Sequence, residues 1–288
     1  MATDHYQHHD YFQLDDLLTE EHKMIRDSVR TWIKKSVSPI IEECAQNAKF
    51  PAHLVKELGE IGAFGPHIPA EYGGGGLDNI AYGIIMQEIE RCDSGIRSTA
   101  SVQGSLVMYP IYRFGSEEQK QKYIPKLGSG EWLGCFGLTE PDHGSDPGGM
   151  KSNFIDKGDH VVLNGSKMWI SNSPLSDVAV VWAKDEEGIV HGLILEKGME
   201  GFSAPEIHNK WSLRASITGE LVFDNVKVPK ENILPGVKGL KGPLSCLNSA
   251  RYGIAWGAIG VALDCYDTAL RYAKERKQFG KPIAGFQL

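Results

Sequence analysis

The chain has 288 residues, of which 41% are hydrophobic and 23% charged, and a formal net charge of −7. That length can enclose a sizeable core and more than one domain, while the acidic balance without any Lys/Arg block excludes broad nucleic-acid binding. Five cysteines, odd in number and without a CxxC, exclude a disulfide framework and a zinc site and read as reduced thiols in the cytoplasm.

The opening MATDHYQHHDYFQLDD holds His5, His8 and His9, read as an exposed tail rather than a metal site. It lacks the basic and apolar regions of a signal peptide. The longest apolar run, Ile254–Leu263, is too short to span a bilayer, so no membrane association is expected.

Residues 19–127 read as helices. Thr19 caps a first helix with Glu20 and Glu21 in its opening turn and Ile25, Val29, Trp32 and Ile33 at helical spacing. Pro51 opens a second, with Leu54, Val55, Leu58 and Ile61 on one side and Gly62 as its stop. Ile80, Ile84, Ile85 and Ile89 mark a third, and Ser116 with Gln119 forms a capping box for a fourth.

The period then changes. Gly134–Met150 is too dense in Gly and Pro for a helix or a central strand. Such a loop can bring backbone N–H groups close to a polar ligand or simply connect elements at the surface. Between about 153 and 230, short runs rich in β-formers alternate with turns expected at Asn164-Gly165 and Asp185–Gly188. Trp169 on such a strand belongs either to the core or to a ligand wall. From Pro243 the pattern is helical again until Gly280 and Pro282 break it. The expectation is an α+β chain in three parts: an N-terminal helical domain (15–132), a middle antiparallel β domain (133–240) and the start of a C-terminal helical bundle (241–288). One apolar-striped helix needs neighbours. A further subunit or further chain is expected to supply them.

FGLTEPDHGSD, WISN and ERKQFG resemble the acyl-CoA dehydrogenases, FAD-dependent enzymes with a helical, a β and a helical domain. The longer stretches ERCDSGIRS, SVQGSLVMYPIY, LILEKGMEG, KWSLRAS and NSARYGIAWG resemble the glutaryl-CoA dehydrogenases among them. The likeness runs from about residue 15 to 288. It implies that Phe136, Leu138 and Thr139 line the flavin ring, with Gly144 and Ser145 between flavin and thioester. Trp169, Ile170 and Ser171 would cover the other ring face, with Ser171 standing where Thr is usual. Arg276 and Gln287 would reach the FAD of a neighbouring subunit; otherwise Arg276 is a solvated helix-end cation. Leu244 and Arg251 would hold the CoA thioester, unless Arg251 is a buried structural residue.

Arg97, with Ser98 beside it, would hold the far carboxylate of a dicarboxylyl thioester, and Glu90 would pair with Arg97 when that carboxylate is absent. The alternative is a purely structural Glu90–Arg97 pair. Ile96, Thr99 and Ala100 depart from the glutaryl-CoA dehydrogenase pattern and imply a reshaped pocket. The family base, a late Glu, is expected C-terminal to Leu288, and the alternative site in some relatives is Ala250. The implied catalytic set within these residues is therefore empty, and the chain is expected to be a C-terminally incomplete, poorly active form of a homotetramer. The implied reaction oxidises glutaryl-CoA to crotonyl-CoA and CO₂, with electrons passed to electron-transferring flavoprotein. The rivals are short-chain acyl-CoA dehydrogenation or oxidation without decarboxylation, and a catalytically dead flavin- or acyl-CoA-binding subunit.

Overall fold

The computed structural model describes residues 10–287. His5, His8 and His9 lie outside the described residues, and so does Leu288. Helix α1 (Glu20–Trp32) begins as the sequence predicts: the Thr19 hydroxyl accepts from the His22 N–H at 3.2 Å. The reciprocal acceptor is His22 Nδ1, a partner that the usual Glu/Gln rule does not anticipate. α2 (Ile41–Gln46) and α3 (Leu54–Glu60) follow, then α4 (Asn79–Cys92) and α5 (Ser94–Ser101), capped by the carboxylates of Asp78 and Asp93. A π-helical stretch, Val102–Met108, carries α5 into α6 (Tyr109–Phe114). α7 (Glu117–Gly128) starts at the predicted Ser116/Gln119 capping box. Val29, Trp32, Ile33, Leu54 and Leu58 bury together with the apolar faces of α4 and α7, so the helical periodicity translates directly into one core.

The middle section is a seven-stranded sheet, antiparallel in the main. Its strands are β1 (Gly134–Gly137), β2 (Asn153–Asp156), β3 (His160–Ser171), β4 (Val178–Lys184), β5 (Val190–Glu196), β6 (Phe202–Ser203) and β7 (Thr218–Pro229). β4 pairs with β5 antiparallel and with β1 in parallel, β2 and β7 flank β3, and β6 closes on β7. The turn expected at Asp185–Gly188 forms, with Gly188 at φ 79°.

Two expectations need correction. Asn164-Gly165 does not reverse the chain: β3 runs through it as a single strand, with a register shift between Leu163 and Gly165. Gly165 uses its φ of 137° for a bulge, where a Cβ would stand 2.7 Å from Ser152 Cα. Gly134–Gly137, expected as loop, is a fully buried strand. Its glycines serve close approach rather than punctuation, since a Cβ on Gly134 would meet Val107 at 2.5 Å.

Helix α8 (Lys241–Glu275) is one rod, roughly 50 Å long at 1.5 Å per residue. It packs on α4 through Gly253, Gly257 and Gly260; a Cβ on Gly260 would lie 2.1 Å from the Gln87 carbonyl oxygen. Short strands β8 (Lys277–Gln278) and β9 (Lys281–Pro282) follow as a hairpin. Among the described residues no helix is long and apolar enough to cross a membrane, and no group of side chains is arranged to hold a metal.

Candidate functional site

Where the end of β1, the loop after it, the end of β3, the π-helical stretch and the start of α8 meet, they enclose a cavity of about 410 Å³. Ten of the residues singled out in the sequence line it: Phe136, Leu138, Thr139, Gly144, Ser145, Trp169, Ile170, Ser171, Leu244 and Arg251. Val102, Leu106, Pro147 and Leu247 complete the wall. Sequence reasoning missed these four, although Leu244, Leu247 and Arg251 recur at i, i+3 and i+7 on one helical face.

Backbone geometry aims the Trp169 side chain. Trp169 lies at φ 62°, in a second register shift of β3 between Lys167 and Ile170. A bulky residue in the left-handed region costs roughly 1–3 kcal/mol. The indole nevertheless remains 61% exposed, so core burial does not offset that cost. This disposes of the core alternative for Trp169. Asn172, at φ 71°, ends the strand, and its side-chain amide donates to the Gly134 carbonyl at 3.2 Å, tying the WISN segment to β1.

The opposing loop is held from behind. The Met168 N–H donates to the Thr139 carbonyl at 2.9 Å, and Lys184 Nζ donates to the Gly148 carbonyl at 2.8 Å. Lys167 is completely buried; its ammonium donates to Glu140 at 2.7 Å and to the Leu138 carbonyl at 3.2 Å. Burial pushes the Glu140 carboxyl up, but the Lys151 N–H, the Lys167 ammonium and Ser152 outweigh it and hold the group at about 2. Nothing in the sequence pattern marks Lys167 or Glu140, because an isolated charge in a strand or loop reads as solvent-facing.

Arg251 is exposed at the cavity mouth and bonds Asn248, which rules out a buried structural role. Ala250 is buried and offers no proton acceptor. Among the described residues no carboxylate lines the cavity. Arg97 and Ser98 lie outside this lining, on α5 about one and a half turns before Val102. Arg97 pairs with buried Glu90, which also accepts from the Ser94 hydroxyl. Helix α8 lies against that pair, since a Cβ on Gly257 would stand 3.0 Å from Glu90 Oε2. Arg276 and Gln287 are exposed beyond the far end of α8, nearly 50 Å along the rod from Leu244. One chain therefore does not bring them to its own cavity.

A flat ring with a polar edge fits this donor set. Apolar side chains from Phe136, Leu138 and Ile170 supply faces, and Thr139, Ser145 and Ser171 supply hydroxyls. Comparison with known proteins agrees. Residues 19–131, 135–226 and 237–288 match the models of the acyl-CoA dehydrogenase N-terminal, middle and C-terminal domains. The chain is 42% identical over 285 residues to the glutaryl-CoA dehydrogenase of Desulfococcus multivorans, covering 96% of this chain and 73% of that one. It is 39% identical over 281 residues to the short-chain specific acyl-CoA dehydrogenase of Clostridium acetobutylicum, covering 95% and 74%. A glutaryl-CoA dehydrogenase from Mycobacterium smegmatis in complex with FADH2 superposes with a TM-score of 0.93 at 46% identity, over 96% of this chain and 71% of that one. The fold, the composition of the cavity and these matches agree: the chain belongs to the acyl-CoA dehydrogenase family, whose cofactor is FAD.

Proposed function

We propose that the cavity binds the flavin of FAD together with the thioester of a short acyl-CoA, and that the acyl group carries a second carboxylate, as in glutaryl-CoA. FAD, when bound, supplies the two-electron oxidant for α,β-dehydrogenation. Phe136 faces it from β1, Leu138, Thr139 and Ser145 from the loop, Trp169, Ile170 and Ser171 from β3, and Leu244 and Arg251 hold the CoA arm. Arg276 and Gln287 act toward the cofactor of a second subunit, within a homotetramer that passes electrons to electron-transferring flavoprotein.

The observation that carries the substrate reading is Arg97. A guanidinium this enclosed, on the helix that continues into the cavity wall, is a ready partner for a distal carboxylate. Removing one partner of a buried pair costs about 3–5 kcal/mol, or roughly 10²–10³-fold in a binding or rate constant. Arg97→Ala should therefore depress bleaching of the flavin by glutaryl-CoA by that factor and leave bleaching by butyryl-CoA within a few fold. Equal losses on both thioesters would favour the second reading, a short-chain acyl-CoA dehydrogenase or oxidase with a structural Arg97. The Glu90 carboxylate, which already satisfies Arg97, is what speaks for it.

A further inference from the structure

Lys167 and Glu140 stand one layer behind the cavity wall and are not among its lining residues. Lys167 has no exposure and Glu140 has 5%. Glu140 also accepts the N–H groups of Lys151 at 2.7 Å and Ser152 at 3.0 Å. An apolar pair of the same volume would do as well or better for stability. The ammonium's second bond, to the Leu138 carbonyl at 3.2 Å, gives the pair another consequence.

The Leu138–Thr139 peptide is trans, as are all peptides of the described chain. In a planar trans peptide the carbonyl and the N–H point in opposite directions. With the Leu138 carbonyl turned inward to Lys167, the Thr139 N–H turns toward the cavity that Leu138 and Thr139 line. Thr139's own carbonyl is taken by the Met168 N–H, and no partner for the Thr139 N–H is found among the described residues. Gly137 leaves the lysine stem its room, since a Cβ there would meet Lys167 Cγ at 3.2 Å and Leu221 Cδ1 at 2.9 Å.

We infer that Lys167, anchored by Glu140, is a positioning residue for the cofactor: it locks the Leu138–Thr139 peptide so that the Thr139 N–H is presented to the polar edge of the flavin. The inference rests on the flavin reading of the cavity. A cation on the carbonyl also polarises the peptide and strengthens its N–H as a donor. A fixed donor at the edge where negative charge grows on reduction favours reduced over oxidised flavin.

The test uses the full chain reconstituted with FAD. Lys167→Met should weaken the preference for reduced flavin about tenfold, a fall of about 30 mV in a two-electron midpoint potential, and shift the visible flavin bands. It should also lower the melting temperature, because Glu140 is left without its cation. Lys167→Met combined with Glu140→Gln removes that stranded charge. The double variant should recover the melting temperature yet keep the lowered potential. An unchanged potential in the single variant, or a wild-type potential in the double variant, would overturn the inference; if the single variant fails to fold, the double variant decides alone. Trp169→Ala separates this from the flavin reading itself. Weaker FAD binding in Trp169→Ala with unmoved potentials in the Lys167 variants sinks only the positioning role. FAD binding absent from the wild-type chain, or indifferent to Trp169, sinks both.

Discussion

Trp169 holds its position at a cost in backbone energy and recovers little from packing, so its replacement separates binding from folding. Trp169→Gly should melt no lower than the parent, because glycine adopts φ 62° without strain. The same change should weaken FAD binding roughly tenfold by loss of the indole face, as read by flavin fluorescence titration. Glu140 makes an acid-stability prediction. Its folded carboxyl sits at about 2, against an ordinary value of 4.5. The stabilisation is therefore complete above pH 4.5 and fades as the pH falls toward 2. Glu140→Gln should flatten that part of the acid-denaturation curve. The Phe136, Thr139, Ser145 and Trp169 positions were legible in the sequence from the loop and WISN motifs. Lys167 was not, because its meaning depends on a carbonyl 29 residues away that only the fold brings to it.

The elements show which glycines are structural and why. Gly253, Gly257 and Gly260 form the face on which α8 meets α4. Gly260→Val would drive a side chain into the Gln87 backbone and should cost at least about 2–3 kcal/mol, seen as a lower urea midpoint. Gly165→Ala meets both a forbidden φ and the Ser152 backbone, and a similar loss is expected. Helix starts were the most legible features, since a cap is a local contact: Thr19 and Ser116 both do what their sequence neighbourhood predicts. Asn164-Gly165 was misread because the same positive φ serves a tight turn or a bulge. The choice between them is made by the strand alongside, here β7, whose Asn225 pairs with Asn164.

For the whole molecule, the decisive feature is α8. One face is sealed against α4 and the π-helical stretch, while Ile254, Ile259, Val261 and Tyr272 remain 42–59% exposed. Exposed apolar side chains of this kind favour association. Sedimentation of this chain should accordingly show concentration-dependent assembly, and polar replacement of Ile254 and Ile259 together should suppress it without loss of helicity.

The sequence by itself determined the family, the three-part order of helices, strands and helix, and most of the cavity wall. These depend on local periodicity, caps and contiguous motifs. Only the tertiary structure decided that the wall closes around a single cavity and that Trp169 is held out of the core. It alone joined Lys167 to the Leu138 carbonyl. Each of these is a contact between residues far apart in the chain, fixed by the packing of whole elements rather than by anything written in their neighbours.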